Sequence, residues 1–460
     1  MSRRLFGTDG IRGVANEILT PELAFELGQG AGLYMLEAGQ IPRVVLGRDT
    51  RRSGPMIGAA LAAGFCSVGV DVTSLGVMPT GGISYVTRTG NFGMGGVISA
   101  SHNPAPDNGI KLIAGDGRKV SDAVETRIEA LMYESVETRP VGSDVGTLVS
   151  DATQKEVYLK YVNHVAKGSL EGMKVAVDGA NGAAHELGPE VLRILGAEVF
   201  EINVLPDGMN INEGGGATKP RIIQEFTVEM RADIGVAFDG DADRAVFSDS
   251  KGRLINGDRM MGIWAANEIS TGGLDPAVVV GTVMSNGGFE AHLASFGVRL
   301  ERAPVGDKYV FERMLDTGAR IGGEQSGHII FPQWGPTGDG LITAIELLRV
   351  IRESGRKADQ FMDEYEPWPQ ILVNVNVGTR DGWKDGLNIK QALSAAEAGL
   401  EGRGRVNVRP SGTQPMIRVM VEADDISLRD ESCRAVVNAL IADLGGEIYS
   451  SVDLTHALGD

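Results

Sequence analysis

The sequence predicts an α/β fold, with three similar α/β layer-sandwich domains and a smaller C-terminal α+β domain around a central cleft. Three observations carry this. The chain has 460 residues, too many for one core at roughly 100–200 residues per domain. One pattern of strand, glycine loop, helix, strand, turn, helical segment, strand and polar loop occurs three times, the layout of right-handed βαβ units. After about Glu366 the texture changes, with a Pro367-Trp368-Pro369 linker leading to an alternating strand. The expected divisions are 1–152, 153–254, 255–367 and 368–460.

Taken in order, Leu5 to Gly13 is a glycine-rich loop in which Arg12 can meet an anion. Thr20 is placed as an N-cap and Pro21 as the first helical residue, with Leu23, Leu27, Ala31 and Tyr34 at helical spacing. The first copy opens on Val44 to Gly47 and the loop Arg48 to Gly54, and closes on Gly96-Val97-Ile98. The second runs from Lys174 to Phe238 and the third from Val278 to Gly323. Each copy ends in its most polar loop, beyond the carboxyl end of its third strand, where open α/β sheets bind ligands. Beyond the linker, Ile371 to Val377 and Met416 to Glu422 are strands and Ser427 to Leu444 is a helix.

The three loops differ chemically. Ser99 to Pro104, continuing through Asp107 to Lys111, presents Ser101 at a sheet rim with His102 beside it. Such a serine can be a nucleophile or group carrier, or simply a capping residue. Asp239, Asp241 and Asp243 alternate in a glycine-containing loop. Three carboxylates so close repel unless a cation sits among them, and oxygen-only ligands suit Mg²⁺. An EF-hand fails here, because its sixth position is Arg244 and its twelfth Ser250. Glu324, Ser326 and His328 alternate too; an extended segment would put them on one side, suited to sugar hydroxyls, with His328 able to move a proton, and the alternative is a hydrogen-bonded structural loop. In the C-terminal part, Arg409, Ser411, Gly412, Thr413 and Arg418 form a turn fit to cradle a dianion. Together the parts point to phosphoryl transfer on a phosphorylated small molecule.

Composition narrows the class. The net charge of −18 argues against non-specific nucleic-acid or anionic-membrane binding. Two cysteines, Cys66 and Cys433, make no disulfide framework or cysteine metal site. No apolar signal region or stretch of ~18 apolar residues is present, so the expected compartment is the cytoplasm. No Walker, dinucleotide or His-Glu-x-x-His motif occurs.

These residues resemble the α-D-phosphohexomutase family. Five segments lie in family order across nearly the whole chain: Phe6 to Gly13, Ser99 to Lys111, Asp239 to Arg244, Gly323 to His328, and Arg409 to Arg418. The resemblance implies four domains around a cleft and a phosphoserine at Ser101. It implies one Mg²⁺ per chain on that phosphate with Asp239, Asp241 and Asp243, and a catalytic 1,6-bisphosphate as activator. Arg12, Lys111 and His328, with His102 beside the serine, would serve proton transfer or charge stabilisation. Arg244, Glu324, Ser326 and His328 would bind the sugar, and Arg409, Ser411, Gly412, Thr413 and Arg418 its non-reacting phosphate. The implied partner is a hexosamine phosphate, favoured within the family by Gln325 and the Phe6 to Gly13 segment. No nucleic acid or membrane is expected, and a homodimer is compatible with family habit. Gln414 and Pro410 depart from the usual phosphate turn. A glucose- or mannose-phosphate mutase is the alternative within the family. Outside it stand a Mg²⁺-dependent phosphatase and a non-catalytic sugar-phosphate sensor.

Overall fold

Each of the three polar loops turns the chain back on itself, so that the strand before it is paired by an antiparallel strand after it. In this computed structural model, which describes residues 5–7, 9–134, 138–411 and 415–456, Met94–Ile98 pairs antiparallel with Asp107–Ala114, Ile234–Phe238 with Ala245–Asp249, and Gly322–Gly323 with Ile329–Ile330. The returning strands add to sheets whose first members are parallel, as the repeats imply. Arg43–Arg48 lies parallel to both Asp71–Val77 and Met94–Ile98, and Lys174–Asp178 parallel to both Glu198–Ile202 and Ile234–Phe238. Val278–Thr282 lies parallel to Gly322–Gly323. Met94–Ile98, Ile234–Phe238 and Val278–Thr282 are buried throughout, which is why they read as unbroken small and apolar runs instead of alternating ones.

The chain divides into two compact units, Met1–Val283 with Glu301–Phe361, and Met284–Leu300 with Met362–Asp460. The first holds the three loops above. Its opening helix, Pro21–Glu37, starts where the sequence places it, with the Thr20 side chain accepting from the Leu23 N–H. The buried face of that helix packs with Leu46, Ile57, Leu61 and Phe65 in one apolar core. The second unit is an antiparallel sheet in the order Gly404–Pro410, Met416–Ala423, Gln370–Asn376 and Glu447–Asp453. Val375, Ile417, Val419 and Val421 from the sheet share a core with Val436 and Leu440 of the helix Ile426–Leu444. No helix among the described residues is long and apolar enough to cross a membrane.

One helix start carries a titration. Asp339 caps Gly340–Ser354 by accepting from the Leu341 and Ile342 N–H groups at 3.0 and 3.1 Å. Tyr158 donates its hydroxyl to the same carboxylate at 2.8 Å. Burial nevertheless outweighs these bonds and raises Asp339 from 3.8 to about 6. A raised carboxylate pKa favours the protonated form in the fold. Its contribution is therefore complete below about pH 4 and lost as pH rises through about 6. Asp339→Asn has no charge to bury, so its stability relative to the parent should rise between pH 4 and 7 by up to ~3 kcal/mol. Urea unfolding of both proteins across that range checks this; a constant difference would contradict it.

Candidate active site

Ser101 sits immediately beyond the strand Met94–Ile98, buried and in the left-handed backbone region at φ 50°. A serine pays for that conformation, and a dense network holds it there. Ser99 Oγ accepts from the Ser101 N–H at 2.9 Å and donates to Asp49 Oδ2 at 2.5 Å. Asp49 also binds Arg51, whose Nε lies 2.8 Å from Oδ2. The fully buried Arg51 then spends the rest of its guanidinium on the serine loop. It donates to the carbonyls of Ser101 at 2.9 Å, Asn103 at 2.7 Å and Asp107 at 2.9 Å, and also to that of Pro104. Asn212 adds bonds to the carbonyls of Ser101 and Asn103 at 2.9 and 3.1 Å.

The loop so held aims Ser101 Oγ at Asp239, 2.6 Å from Oδ2, with His102 Nδ1 at 3.4 Å. The approach is tight: a Cβ at Gly240 would strike the Ser101 carbonyl oxygen. Asp239, Asp241 and Asp243 are all buried, and one oxygen from each lies within 4.8 Å of the others. Ala242, between the last two, is again left-handed at φ 57°. Thr80 donates to Asp241 Oδ2 at 2.9 Å, and the buried Lys111 donates to the same oxygen at 3.0 Å and to Asp243 Oδ2 at 3.5 Å. Lys111 comes from the returning strand, opposite Val97.

The electrostatics of the cluster are uneven. Burial pushes Asp239 well above the usual carboxylate range, helped by the charges of Asp243 and Asp241. Burial acts on Asp243 too, but Lys111 and His328 outweigh it and hold that carboxyl well below its usual range. Asp241 is likewise held low against burial, mainly by Lys111. Lys111 in turn is raised, because Asp241 and Asp243 outweigh its own burial. Asp241 Oδ1 and Asp243 Oδ1 are buried with no hydrogen-bond partner among the described residues. Three close carboxylates with unused oxygens, and no nitrogen or sulfur ligand in the group, can hold a hard metal ion.

Of the two forms open to the Glu324 to His328 segment, an extended run and a hydrogen-bonded loop, the structure has the second. It is not extended but a turn, with Glu324 N–H bonded to the His328 carbonyl at 3.0 Å and Gly327 N–H to the Glu324 carbonyl at 3.0 Å. Gly327 takes φ 92°, where a Cβ would strike the Ala245 carbonyl. Alternation thus does not put the three side chains on one side. Glu324 Oε1 accepts from the Gly306 N–H at 2.9 Å, and Ser326 Oγ is buried with no partner among the described residues. His328 reaches the acidic cluster, its Nδ1 3.6 Å from Asp243 Oδ1. Its Nε2 accepts from the Gly338 N–H at 3.2 Å, which needs a neutral ring there. Burial also disfavours the imidazolium, yet Asp243, Asp307 and Glu324 outweigh it and raise the pKa. The Nε2 bond needs the neutral ring while the facing carboxylates favour the imidazolium, so each protonation state has partners in the site.

On the same side, Asp9 gathers cations. It binds Arg12 and Lys119, with Lys111 Nζ at 3.3 Å. Arg12 Nη1 also donates to the Ala100 carbonyl at 3.4 Å, beside the serine. Arg244 sends its backbone N–H to Asp239 Oδ1 at 3.2 Å. Ser101, His102, Lys111, the three aspartates, Arg244, His328 and Arg12 are thereby linked in one network. Asp49, Arg51, Thr80, Asn212, Asp9, Lys119 and Asp307 were not anticipated. The signal for two of them was present in Arg48 to Arg52, a charged run leaving a buried strand.

In the second unit, Arg409 and Arg418 face each other in register across Gly404–Pro410 and Met416–Ala423. Like charges directly opposite are destabilising without an anion between them. Arg380, a further residue not anticipated, donates to the carbonyl of the buried Ser411. Gly412, Thr413 and Gln414 lie outside the described residues. Pro410 is the last residue of its strand, opposite Ile417.

Comparison with known proteins finds matches over most of the chain. Models of the phosphoglucomutase/phosphomannomutase alpha/beta/alpha domains I, II and III match residues 3–139, 156–252 and 256–368, and that of the C-terminal domain matches 372–439. The phosphoglucosamine mutase of Symbiobacterium thermophilum is 48% identical over 430 residues, 92% of this chain and 96% of that one. That of Oceanobacillus iheyensis is 44% identical over 443 residues, 96% and 99% of the two chains. A phosphoglucomutase/phosphomannomutase family protein of Burkholderia thailandensis superposes with a TM-score of 0.81 at 24% identity, covering 97% and 99%. The N-acetylphosphoglucosamine mutase of Aspergillus fumigatus, solved with GlcNAc-6P and magnesium, gives 0.64 at 17% identity, covering 95% of each chain. These last two likenesses speak to the fold.

Proposed function

Since the chain belongs to the α-D-phosphohexomutase family, through all four of its domain models, we propose that it interconverts glucosamine 6-phosphate and glucosamine 1-phosphate through a phosphoserine and a 1,6-bisphosphate. The observation that carries the chemistry is Ser101 Oγ, 2.6 Å from Asp239 at the edge of the three-carboxylate cluster. The amino sugar is supported by relatives of 44–48% identity over nearly their full length.

In the forward direction the phosphoryl group on Ser101 Oγ passes to the sugar's 1-hydroxyl. An O1–P bond forms, the P–Oγ bond breaks, and the 1-hydroxyl proton leaves. His328 takes that proton: its ring is neutral while Nε2 accepts from the Gly338 N–H, and the charged form finds Asp243 and Asp307 beside it. Lys111 keeps its charge through its pairing with Asp241 and Asp243, so it stabilises phosphoryl oxygens and does not act as a base. Arg12 contributes a second cation beside the Ser101 loop. His102 Nδ1, 3.4 Å from Oγ, supplies a proton to the oxygen that is left behind. The bisphosphate then turns over and its 6-phosphoryl group returns to Ser101. Asp239, Asp241 and Asp243 would hold Mg²⁺, which when bound offsets the negative charge of the transferring group. Glu324 and Ser326 serve the sugar hydroxyls. Arg409, Ser411 and Arg418, helped by Arg380, are the grip for the phosphate that does not react, since two facing arginines call for an anion.

The test is a panel of glucosamine, glucose and mannose phosphates, each with Mg²⁺ and a trace of the matching 1,6-bisphosphate. Strong preference for glucosamine phosphate, lost on chelation and restored by Mg²⁺, is the expected result. Preference for glucose or mannose phosphate would overturn the amino-sugar assignment while keeping the reaction. Release of inorganic phosphate without isomer would overturn the reaction itself.

A further inference from the structure

A mutase for an amino sugar must tell an ammonium from a hydroxyl. Neutral groups such as Ser326 accept from either, so the discrimination calls for a carboxylate that gains a charge-assisted bond from the ammonium alone. Resting on the amino-sugar reading above, we propose that Asp307 is this carboxylate, reading the 2-ammonium when the sugar's 1-oxygen faces the phosphoserine.

The argument begins with position. Asp307 lines a cavity of about 350 Å³ together with Gly10, Lys111, Lys119 and Gly306. Its Oδ2 is 3.8 Å from His328 Nε2. C2 is bonded to C1, so the reader of a 2-substituent has to neighbour the groups that serve the 1-oxygen, and Asp307 does. Asp122 and Glu125 line the cavity as well, Asp122 paired with Lys308 at 2.9 Å, but of the three carboxylates Asp307 is the one that stands beside His328.

The second observation is what Asp307 already holds. Lys119 lines the same cavity, and its ε-ammonium donates to Asp307 at 3.1 Å from Oδ1 and 2.9 Å from Oδ2. A primary alkylammonium therefore occupies this carboxylate from the cavity side, in the manner the sugar's ammonium requires. Lys119 keeps Asp9 as its other partner when displaced. The carboxylate is also fixed and charged. Asp307 is the first residue of the helix Asp307–Thr317, and its Oδ1 accepts from the Lys308 N–H at 2.8 Å. Gly306 before it, at φ 127°, is tied to Glu324 and hence to the sugar-binding turn. Burial disfavours the anion, but Lys119 and His328 outweigh it and hold Asp307 below its ordinary range.

The experiment compares kcat/KM for glucosamine 6-phosphate and glucose 6-phosphate in the full-length protein and in Asp307→Asn, with Mg²⁺ and the matching bisphosphate. The preference for glucosamine phosphate should fall at least about tenfold, chiefly through loss on the amino sugar. The loss should be larger for transfer from the phosphoenzyme to glucosamine 6-phosphate than to glucosamine 1-phosphate, because only the first places C1 at the serine. If both sugars lose by the same factor, Asp307 is a structural residue and the inference fails. Should Asp307→Asn not fold, Asp307→Glu carries the same comparison, since displacing the charge by one methylene must also lower the preference. A parent protein without preference for glucosamine phosphate would instead sink the functional reading. A parent preference that the variant retains sinks only this inference.

Discussion

Replacing Ser101 by alanine is expected to abolish mutase turnover, by about 10⁴-fold or more. The proposed chemistry has one carrier for the phosphoryl group, and no other described hydroxyl bonds to the Asp239 to Asp243 cluster except Thr80, whose oxygen already donates to Asp241. The fold should survive. Arg51 and Asn212 grip the loop by its carbonyl oxygens, which alanine retains, and the left-handed φ of 50° costs alanine about what it costs serine. The checks are a coupled isomerisation assay, intact mass after incubation with the bisphosphate, and thermal unfolding. The variant should take up no phosphate and unfold near the parent temperature. Covalent phosphate on Ser101→Ala, or turnover within about tenfold of the parent, would place the carrier elsewhere.

The second large effect is at Arg51. Arg51→Met keeps most of the side-chain volume and removes the charge. Four carbonyl oxygens, of Ser101, Asn103, Pro104 and Asp107, then lose a donor, and the buried Asp49 loses its counter-charge. Breaking one side of a buried pair costs about 3–5 kcal/mol. Asp49 is already raised by burial, with Arg51 the main influence pulling it down, so its pKa should rise further in the variant. Urea unfolding should show a loss of this size, together with a fall in kcat that Arg51→Lys does not repair, because an ammonium cannot reach several divergent carbonyls as a planar fork does. Stability within about 1 kcal/mol of the parent would show that the loop holds its shape without the guanidinium.

The contrast between these two residues shows what was readable in the chain. Ser101 and the three aspartates were legible because each follows an apolar strand that stops abruptly, and the end of such a strand in an α/β sheet is where ligands bind. The three α/β domains were legible for the same reason, through the repetition of that pattern, and the C-terminal domain through the change of texture after Glu366. Arg51 was not, since an arginine in a polar run reads as solvated, and only the packed loop reveals its burial among carbonyls. The Glu324 to His328 alternation left an extended run and a hydrogen-bonded loop both open, and Gly327, at φ 92°, goes with the second. Asp307 and Lys119 come from segments without a recognisable motif. They meet only in a cavity assembled by segments far apart in sequence.

That distance has a kinetic consequence. The bond from Ser101 to Asp239 spans 138 positions, that from Lys111 to Asp241 spans 130, and the one from Lys119 to Asp307 spans 188. Contacts of such long range close late, after local strands and helices have formed. A chain emerging from the ribosome therefore carries its serine for a long interval before the aspartates exist to meet it. Native-like circular dichroism should recover before catalysis during refolding. Phosphoryl transfer therefore waits on pairings between segments more than a hundred positions apart, not on any one segment taking its local shape.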